Sequence, residues 1–372
     1  MMLKVMEDKP ITLGEWRINV DPRSRPRVIM LELTTRCNAK CRHCFRFSVP
    51  GALKLGDMSS KTIERVLGEA SRLGVRRLVL SGWGEPTVHP GILDVIEGAK
   101  SHGLEVALNT NGLRLGEMAE ELCTLNLDEL MVSLEAADPE LYGALRFRGG
   151  LESVTEGLMA LREVKDMLHS PRPLVTLHVT LSSLNYLELP DLMEYASEVG
   201  ASRMVVSNYI PTGAEGEHLT LIGRGDQEGI MLRLGVLAFK HGIDVVKPQF
   251  EPKATRRCPF IESQGLYIRW DGSVAPCINY AHIWTPTLDG IRRTIKPITF
   301  GDLRHQSLSD IWLSDKYLRF RLTVKTASLP SCLDCDLRPY CTYTLTNEVD
   351  CWGNTPTCAH CPYIYSLTYC PL

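Results

Sequence analysis

Three cysteines stand close together early in the chain, in a Cys-x3-Cys-x2-Cys arrangement. They are Cys37, Cys41 and Cys44, within the segment TTRCNAKCRHCFR. Thiolates are soft ligands that suit iron–sulfur clusters or zinc. A structural zinc ion normally takes four protein ligands, no fourth cysteine is close in sequence, and His43 is too near to complete the set comfortably. Three thiolates therefore favour a four-iron cluster whose remaining iron can bind a small molecule.

Polar residues that could contact such a molecule follow several predicted strands. The segment SGWGEP contributes Gly82, Trp83, Gly84 and Glu85. Glycines let the backbone approach a ligand closely, and the Glu85 carboxylate can accept hydrogen bonds from an ammonium group. Further candidates follow later strands: Thr110-Asn111-Gly112, Ser133, Glu135, Arg146, Asn185 and Asn208.

Nine of the thirteen cysteines lie from residue 258 onward: Cys258, Cys277, Cys332, Cys335, Cys341, Cys351, Cys358, Cys361 and Cys370. In a large chain without an export signal, such clustering indicates metal or redox chemistry rather than disulfide bonds. Cys123 stands alone in a helical stretch and is interpreted as a small buried apolar residue.

Short β-rich runs alternate with amphipathic helical stretches between residues 27 and 250. Strands are predicted at 28–33, 76–82, 104–112, 128–136, 174–182 and 202–210, and helices near 58–74, 91–102, 151–165, 187–199 and 224–241. Six such repeats imply an α/β fold with a parallel sheet. Since eight strands close a barrel, six predict an open, partial (β/α)6 TIM-type barrel. Ligands of such sheets bind at the carboxyl ends of the strands, where the polar candidates fall.

Three parts of the chain are expected: an N-terminal extension (1–26), the partial barrel (27–250) and a small irregular cysteine-rich domain (251–372). In the last part, a hairpin is predicted over 265–277, with Asp271-Gly272 as its turn, and a helix over 308–321. Because periodic apolar residues are scarce there, bound metal would supply much of the folding energy.

The composition argues against several functions. The formal net charge of −3 lacks the basic excess expected for binding nucleic acid or an anionic membrane. The first 21 residues are interrupted by charges and form no signal peptide. No run approaches the roughly 18 apolar residues of a spanning helix. A cytoplasmic protein with neither a nucleic acid nor a membrane partner is expected.

The cysteine triplet, with His43 as the aromatic-type residue before its last cysteine, resembles the radical S-adenosylmethionine superfamily. The resemblance implies a [4Fe–4S] cluster whose open iron binds the methionine amine and carboxylate of S-adenosylmethionine. An electron, from a low-potential donor such as ferredoxin or flavodoxin, then cleaves the sulfonium and releases a 5′-deoxyadenosyl radical.

The resemblance also implies roles for the polar candidates. The turn from Gly82 to Glu85 resembles the Gly-Gly-Glu-Pro motif that binds the methionine amino group, although Trp83 replaces its second glycine. Ser133 and Glu135 occupy positions that contact the ribose hydroxyls, and Arg146 resembles an arginine that pairs with the methionine carboxylate. Asn185 and Asn208 are expected to line the same cavity.

The C-terminal cysteines resemble the SPASM extension of radical enzymes, which carries auxiliary four-iron clusters. Cys258-x13-Gly272-x4-Cys277 and the run Cys332-x2-Cys335-x5-Cys341 fit its pattern, but Leu345 stands where the next cysteine is expected. One or two auxiliary clusters are implied. By the family's arrangement, an inner cluster takes Cys258, Cys277 and Cys351. An outer cluster takes the run and one later cysteine, and one of the nine is spare.

The substrate class is suggested by two further segments. Ile278 follows Cys277, where sulfatase-maturing relatives carry an acid, which argues against formylglycine formation. The tail DCWGNTPTCAHC with its final Cys-Pro is similar to maturases of tungsten-dependent aldehyde oxidoreductases, so the client would be a tungstopterin enzyme or its cofactor precursor. The alternatives are a peptide-modifying maturase, a multi-cluster electron-transfer protein and a zinc-stabilised binding module.

Overall fold

The computed structural model describes residues 11–13, 15–146, 150–225, 227–253 and 256–372. The chain enters through an antiparallel hairpin of β1 (Ile11–Leu13) and β2 (Trp16–Ile18). The first ten residues of the predicted N-terminal extension lie outside the described part.

A parallel sheet follows, whose strands lie side by side in chain order. They are β3 (Val28–Leu31), β4 (Arg77–Leu80), β5 (Glu105–Thr110), β6 (Glu129–Ser133), β7 (Leu174–Leu181), β8 (Arg203–Asn208) and β9 (Asp244–Val246). The connecting helices are α1 (Ser60–Leu73), α2 (Ile92–Ser101), α3 (Leu115–Thr124), α4 (Pro139–Leu145), α5 (Gly150–Met167), α6 (Leu189–Glu198) and α7 (Glu228–His241). The six predicted strands are confirmed, and β9 adds a seventh that was not predicted.

Local sequence explains why these elements begin and end where they do. In α1 the side chain of Ser59 accepts a hydrogen bond from the Thr62 amide, and Gly74 ends the helix with φ of 66°. A side-chain cap at the start and a left-handed glycine at the end satisfy otherwise unpaired backbone groups. The apolar stripe between them, including Val66 and Ala70, is buried against the sheet.

Beyond residue 250 the chain adds strands to the same sheet. The elements are α8 (Pro259–Glu262), β10 (Gly265–Ile268), β11 (Ser273–Ala275), β12 (Thr287–Leu288), β13 (Ile291–Arg292), β14 (Gly301–Asp302), α9 (Leu308–Trp312) and α10 (Asp315–Lys325). The hairpin of β10 and β11 is confirmed, with Gly272 at φ of 85° in its turn. Strand β10 pairs in parallel with β3, so one ten-stranded sheet runs from β14 to β9.

The single helix predicted over 308–321 is wrong, because two helices occupy this stretch. Ser314 separates them: its hydroxyl donates to the Ile311 carbonyl at 2.8 Å and accepts from the Tyr317 amide at 3.4 Å. A serine side chain that caps the next helix competes with continuation of the first. After Lys325 the described chain forms only short 3₁₀ turns, as the sparse apolar periodicity predicted. The domain boundary at 250 stays a prediction.

The last residues of the sequence return to the inner face of the partial barrel. Pro371 and Leu372 lie beside side chains of β4, β5 and β6, including Val79 and Met131. Three polar side chains on two strands hold this tail. Asn109 donates to the Pro371 carbonyl, Ser207 accepts from the Tyr369 amide, and Asn208 donates to the Leu367 carbonyl.

Candidate active site

A cavity of about 270 Å³ opens at the carboxyl ends of β4 to β8. Most of the candidates from the N-terminal half line it together: Cys37, Cys41, Cys44, Gly82, Trp83, Gly84, Glu85, Ser133, Arg146 and Asn208. They come from the ends of four strands of the parallel sheet, β3, β4, β6 and β8, or from the connections that follow them, so the strand order itself assembles them. This is where ligands bind in open α/β sheets.

The three N-terminal cysteines are partly buried in the loop after β3. Burial raises the pKa of the Cys41 thiol to about 12, although Arg146 opposes that shift. Such a thiol is a poor free nucleophile, and a bound metal would be needed to deprotonate it. Two N–H groups point at the Cys37 sulfur: the Ala39 amide at 3.4 Å and the Asn111 side chain at 4.0 Å.

The spacing of these thiols suits a cluster better than one ion. Within the described ranges, no three His, Cys, Asp or Glu side chains converge as a single metal ion would require. A four-iron cluster is wider, and each thiolate binds its own iron. The donor set of Cys37, Cys41 and Cys44 therefore fits a four-iron cluster.

The turn after β4 is packed so tightly that its glycines cannot be replaced freely. A Cβ on Gly84 would collide with the Thr34 and Arg36 carbonyl oxygens, and one on Gly82 would lie 2.7 Å from Glu32 Cγ. The turn therefore lies directly against the start of the cysteine loop. Its backbone reaches the cavity because these two positions lack side chains.

Trp83 lines the cavity and joins three segments. Its Nε1 donates to the Ile278 carbonyl at 3.1 Å, and its ring centroid lies 4.5 Å from that of Phe45. Phe45 follows the last cysteine of the triplet, and Ile278 follows Cys277. A tryptophan at this position thus connects the N-terminal cysteine loop with the loop of a C-terminal cysteine.

Glu32 is a buried carboxylate that sequence analysis missed. It is fully buried and accepts from the Trp83 amide at 3.0 Å and the Tyr267 hydroxyl at 2.8 Å, while His282 Nε2 lies 3.0 Å from it. These contacts hold the turn after β4 to the β10–β11 region. A charged residue at the end of an otherwise apolar strand was the available signal.

The Glu85 carboxylate is already engaged within the protein. One oxygen accepts from the Thr110 hydroxyl at 2.7 Å and from the Thr87 amide and hydroxyl, and the other accepts from the Asn111 amide at 2.7 Å. Burial raises the pKa of Glu85, while these hydrogen bonds oppose the rise. Its principal contacts thus connect the ends of β4 and β5, and the expected ammonium would have to share its oxygens.

Glu135 and Arg146 form an ion pair that is almost completely buried. Burial raises the pKa of Glu135, but Arg146 outweighs it and lowers the pKa overall. His43 Nε2 lies 3.5 Å from the same carboxylate. Glu135 is held by Arg146 and does not line the cavity. The Arg146 guanidinium also lines the cavity, with Tyr142 as a further hydrogen-bonded neighbour.

The two asparagines expected to line the cavity differ. Asn208 does line it, whereas Asn185 is fully buried beside it and binds the Glu135 carbonyl and the Ser182 amide. Sequence analysis missed the inward-facing side chains His178 and Ser207, which are hydrogen-bonded at 2.7 Å. Alternation along β7 and β8 was the signal that could have found them.

Segments distant in sequence also line this cavity. Tyr363, Thr368, Tyr369 and Pro371 contribute from the tail, and Trp284 from the segment after β11. A second cavity of about 310 Å³ adjoins the first and shares His43, Thr180 and Tyr209 with it. Their combined space is of the size that small-molecule ligands occupy.

The nine C-terminal cysteines separate into two sets. The inner set consists of Cys258, Cys277, Cys358, Cys361 and Cys370. Burial is the largest cause that raises the pKa values of Cys277, Cys358 and Cys370, and neighbouring thiols of the same set raise them further. The outer set surrounds Cys332, whose pKa is raised to about 12 by burial and then by Cys351, Asp350, Cys341 and Cys335.

The outer set therefore comprises Cys332, Cys335, Cys341 and Cys351, which corrects the expected grouping of Cys351 with Cys258 and Cys277. The reason is a local network that the sequence pattern does not reveal. The Asp350 carboxylate binds the Trp352 and Asn354 amides and the Thr357 hydroxyl, so Cys351 is held in a tight turn beside Cys332. Each set has at least the four thiols that one cluster needs.

Comparisons with known proteins agree with this geometry. The Radical SAM superfamily model matches residues 31–196, and the SPASM iron–sulfur cluster-binding domain matches 258–336. The tungsten-containing aldehyde ferredoxin oxidoreductase cofactor-modifying protein of Pyrococcus furiosus is 33% identical over 350 residues, which cover 93% of this chain and 97% of that protein. This chain belongs to the radical S-adenosylmethionine superfamily. It is a radical S-adenosylmethionine enzyme with iron–sulfur clusters.

Other members of the superfamily match less of the chain. A probable GTP 3′,8-cyclase of Thermococcus kodakarensis is 32% identical over 183 residues, 49% of this chain and 57% of that protein. Streptococcus suis SuiB bound to S-adenosylmethionine has the same fold, with a TM-score of 0.61 and 17% identity over 86% of this chain and 73% of SuiB. Among the described helices of this radical S-adenosylmethionine enzyme, none is long and apolar enough to cross a membrane.

Proposed function

We propose that this enzyme cleaves S-adenosylmethionine reductively and uses the resulting 5′-deoxyadenosyl radical in the maturation of a tungsten-containing oxidoreductase. The substrate is the client enzyme or a precursor of its cofactor. One observation carries this assignment: a relative named for modifying the cofactor of such an enzyme aligns over 93% of the chain at 33% identity.

Cys37, Cys41 and Cys44 would hold the cluster, which supplies the electron for cleavage when it is bound. The residues around it position S-adenosylmethionine. Backbone groups of the Gly82–Glu85 turn would receive the methionine amino group, because that turn reaches the cavity without side chains in the way. The Arg146 guanidinium, which lines the cavity, would pair with the methionine carboxylate, and Ser133 on the cavity wall would contact the ribose.

The inner and outer cysteine sets would each hold an auxiliary four-iron cluster. Five thiols in the inner set leave one in excess, and Cys370 lies on the tail next to residues that line the reaction cavity. The burial of Cys332, Cys358, Cys361 and Cys370 fits metal ligands, since buried thiols are protonated unless a metal lowers their pKa. A low-potential ferredoxin or flavodoxin would supply electrons.

The test of the chemistry is anaerobic purification followed by iron and sulfide quantitation and assay of 5′-deoxyadenosine after reduction with S-adenosylmethionine. Cys37→Ala should abolish 5′-deoxyadenosine formation and remove about four irons. Cys123→Ala is the matched control, because Cys123 lies on α3 in the apolar core, and it should keep both. Equal activity of the two variants would refute the assignment of the site.

The test of the substrate is co-expression with a tungsten-containing aldehyde oxidoreductase. The client purified from cells that carry wild-type enzyme should be active, and the client from cells with Cys37→Ala should contain an incompletely processed cofactor by mass spectrometry. An identical cofactor in both preparations would refute this substrate. Modification of a peptide instead would favour the peptide-maturase alternative.

A further inference from the structure

A fully buried arginine lies beside the outer cysteine set with part of its guanidinium unsatisfied. Arg293 is 1% exposed, and its Nη1 donates to the Leu288 and Ile291 carbonyls at 3.0 and 3.1 Å. Its Nε and Nη2 have no hydrogen-bond partner within the described ranges. A buried cation whose donors are unmatched is strongly destabilising, so a negative group is expected next to it.

Backbone pairing fixes this arginine against the outer set. The Thr294 amide donates to the Leu345 carbonyl at 2.8 Å, and the Asn347 side chain binds both the amide and the carbonyl of Lys296. These contacts join the segment after β13 to the stretch between Cys341 and Cys351. Burial lowers the pKa of Arg293 to about 10, and Cys332 is one of the groups that oppose this shift.

The neighbouring carboxylates are engaged elsewhere. Asp289 lies 3.2 Å from the Arg338 guanidinium. Asp350 accepts from two backbone amides, the Asn354 side chain and the Thr357 hydroxyl of its own loop. Neither is hydrogen-bonded to Arg293. Asp289 opposes the effect of burial on the pKa of Arg293 more than Cys332 does, but it does not accept from Nε or Nη2, so the outer thiolates, with any cluster that they hold, are the negative groups left to accept from these two donors.

We propose that Arg293 donates Nε–H and Nη2–H to the cluster held by Cys332, Cys335, Cys341 and Cys351, and thereby raises its reduction potential. This inference rests on the proposed function, which assigns an auxiliary cluster to these thiols. A four-iron cluster with four thiolates is anionic and gains one more negative charge on reduction. A buried cation and hydrogen bonds to sulfur therefore stabilise the reduced form more.

The experiment is an anaerobic redox titration of the purified enzyme followed by electron paramagnetic resonance. The outer cluster's signal is the one that Cys341→Ala removes. In Arg293→Met, the equilibrium constant for reducing the cluster that gives this signal should fall about tenfold or more. A tenfold fall lowers the reduction potential by about 59 mV for one electron. Arg292→Met is the matched control, because Arg292 is the exposed neighbouring cation, and its effect should be much smaller.

Arg293→Lys separates hydrogen bonding from folding, because it keeps a cation but loses the planar donor set. Its potential should lie between those of wild type and Arg293→Met, and the exchangeable-proton couplings seen in heavy water should weaken. If Arg293→Met holds no outer cluster, the test rests on Arg293→Lys. An Arg293→Lys enzyme with the reduction potential and proton couplings of wild type would overturn the inference. Equal shifts in Arg292→Met and Arg293→Met would also overturn it. Wild-type enzyme without outer iron would instead refute the auxiliary-cluster assignment.

Discussion

At the scale of single residues, the buried charges of the active site are arranged in mutually satisfied groups. The Glu135 carboxylate forms an ion pair with Arg146, and the Glu85 carboxylate accepts hydrogen bonds from hydroxyl and amide groups of two neighbouring turns. Sequence analysis identified all three residues because acids and arginines after strand ends are conspicuous. It could not identify their partners, since a pairing across 11 positions or between two turns depends on how the chain folds.

Breaking the pair should be costly. Arg146→Met leaves the Glu135 carboxylate buried without a cation, and we expect a loss of about 3–5 kcal/mol in the free energy of unfolding. Adding Glu135→Gln should recover part of it, which anaerobic urea unfolding would measure. Removing the exposed Arg23, paired with Asp21, should change the free energy of unfolding far less, because water and salt screen a surface ion pair. Equal losses at both sites would contradict the buried-pair interpretation.

The same pair predicts that the contribution of Glu135 to the free energy of unfolding depends on pH in opposite directions in wild type and in Arg146→Met. In wild type the pKa of Glu135 is lowered by Arg146 against the effect of burial, so its contribution is present above the ordinary carboxyl pKa and is lost as pH falls through the lowered value. In Arg146→Met the effect of burial, which is the largest, would be opposed only by smaller effects such as that of His43, so the pKa should be raised and the free energy of unfolding should increase as pH falls from 7 to 5. The reference is the double variant Arg146→Met/Glu135→Gln, which lacks this carboxyl group. If the difference in free energy of unfolding between Arg146→Met and the double variant stayed the same from pH 7 to 5, the prediction would be contradicted.

Replacing either of two glycines by alanine should change the stability of the enzyme in opposite directions. Gly84→Ala should destabilise the enzyme and weaken binding of S-adenosylmethionine, because the new Cβ meets backbone carbonyls of Thr34 and Arg36. Gly68→Ala lies on the exposed face of α1 with open space around it and should stabilise by roughly 0.5–1 kcal/mol. Thermal unfolding and calorimetric titration would measure these effects, and a neutral Gly84→Ala would show that the turn is looser than described.

At the scale of elements, the β10–β11 hairpin is attached to the barrel through the turn after β4. Trp83 donates to the Ile278 carbonyl, and Glu32 binds Tyr267 of β10. Sequence analysis found both the hairpin and the six βα repeats, because turn residues and apolar periodicity are local signals. It missed that β10 pairs with β3, because strand pairing over more than 200 residues leaves no local pattern. It also missed β9, because a strand of three residues is too short to show a period.

Trp83 tests this attachment. Trp83→Phe keeps most of the packing but leaves the buried Ile278 carbonyl without its donor, at an expected cost of about 1–3 kcal/mol. Trp83→Gly, which restores the two consecutive glycines of the family motif, should cost more, about 3–5 kcal/mol, because it leaves a cavity. Trp16→Phe is the control at a site 69% exposed. If Trp83→Gly were as stable as wild type by chemical unfolding, the attachment would be unimportant.

At the scale of the whole molecule, the cysteines form three separate centres, one before the barrel cavity and two beyond it. Spacing alone predicted the first group of thiols and predicted that the C-terminal cysteines act as metal ligands. The division of that total depended on the turn that Asp350 builds around Cys351, which no spacing rule contains. Buried groups without sequence motifs, such as Arg293, also came only from the three-dimensional arrangement.

Iron content should report this division. Wild-type enzyme should carry about twelve irons, and Cys341→Ala should lose about four. Cys358→Ala/Cys361→Ala, which leaves the inner set three thiols, should also lose about four. Combining the three substitutions should retain the N-terminal cluster and its 5′-deoxyadenosine formation on reduction. Cys370→Ala decides whether the fifth inner thiol is a ligand. Loss of all auxiliary iron in Cys341→Ala or in Cys358→Ala/Cys361→Ala would contradict two independent centres.

The tail that returns to the barrel also affects how the protein can be handled. Leu372 is half-buried beside Val79 and Met131 on the inner face of the sheet. A bulky group attached to this residue should compete with the tail for that space and disturb the cavity wall at Tyr369.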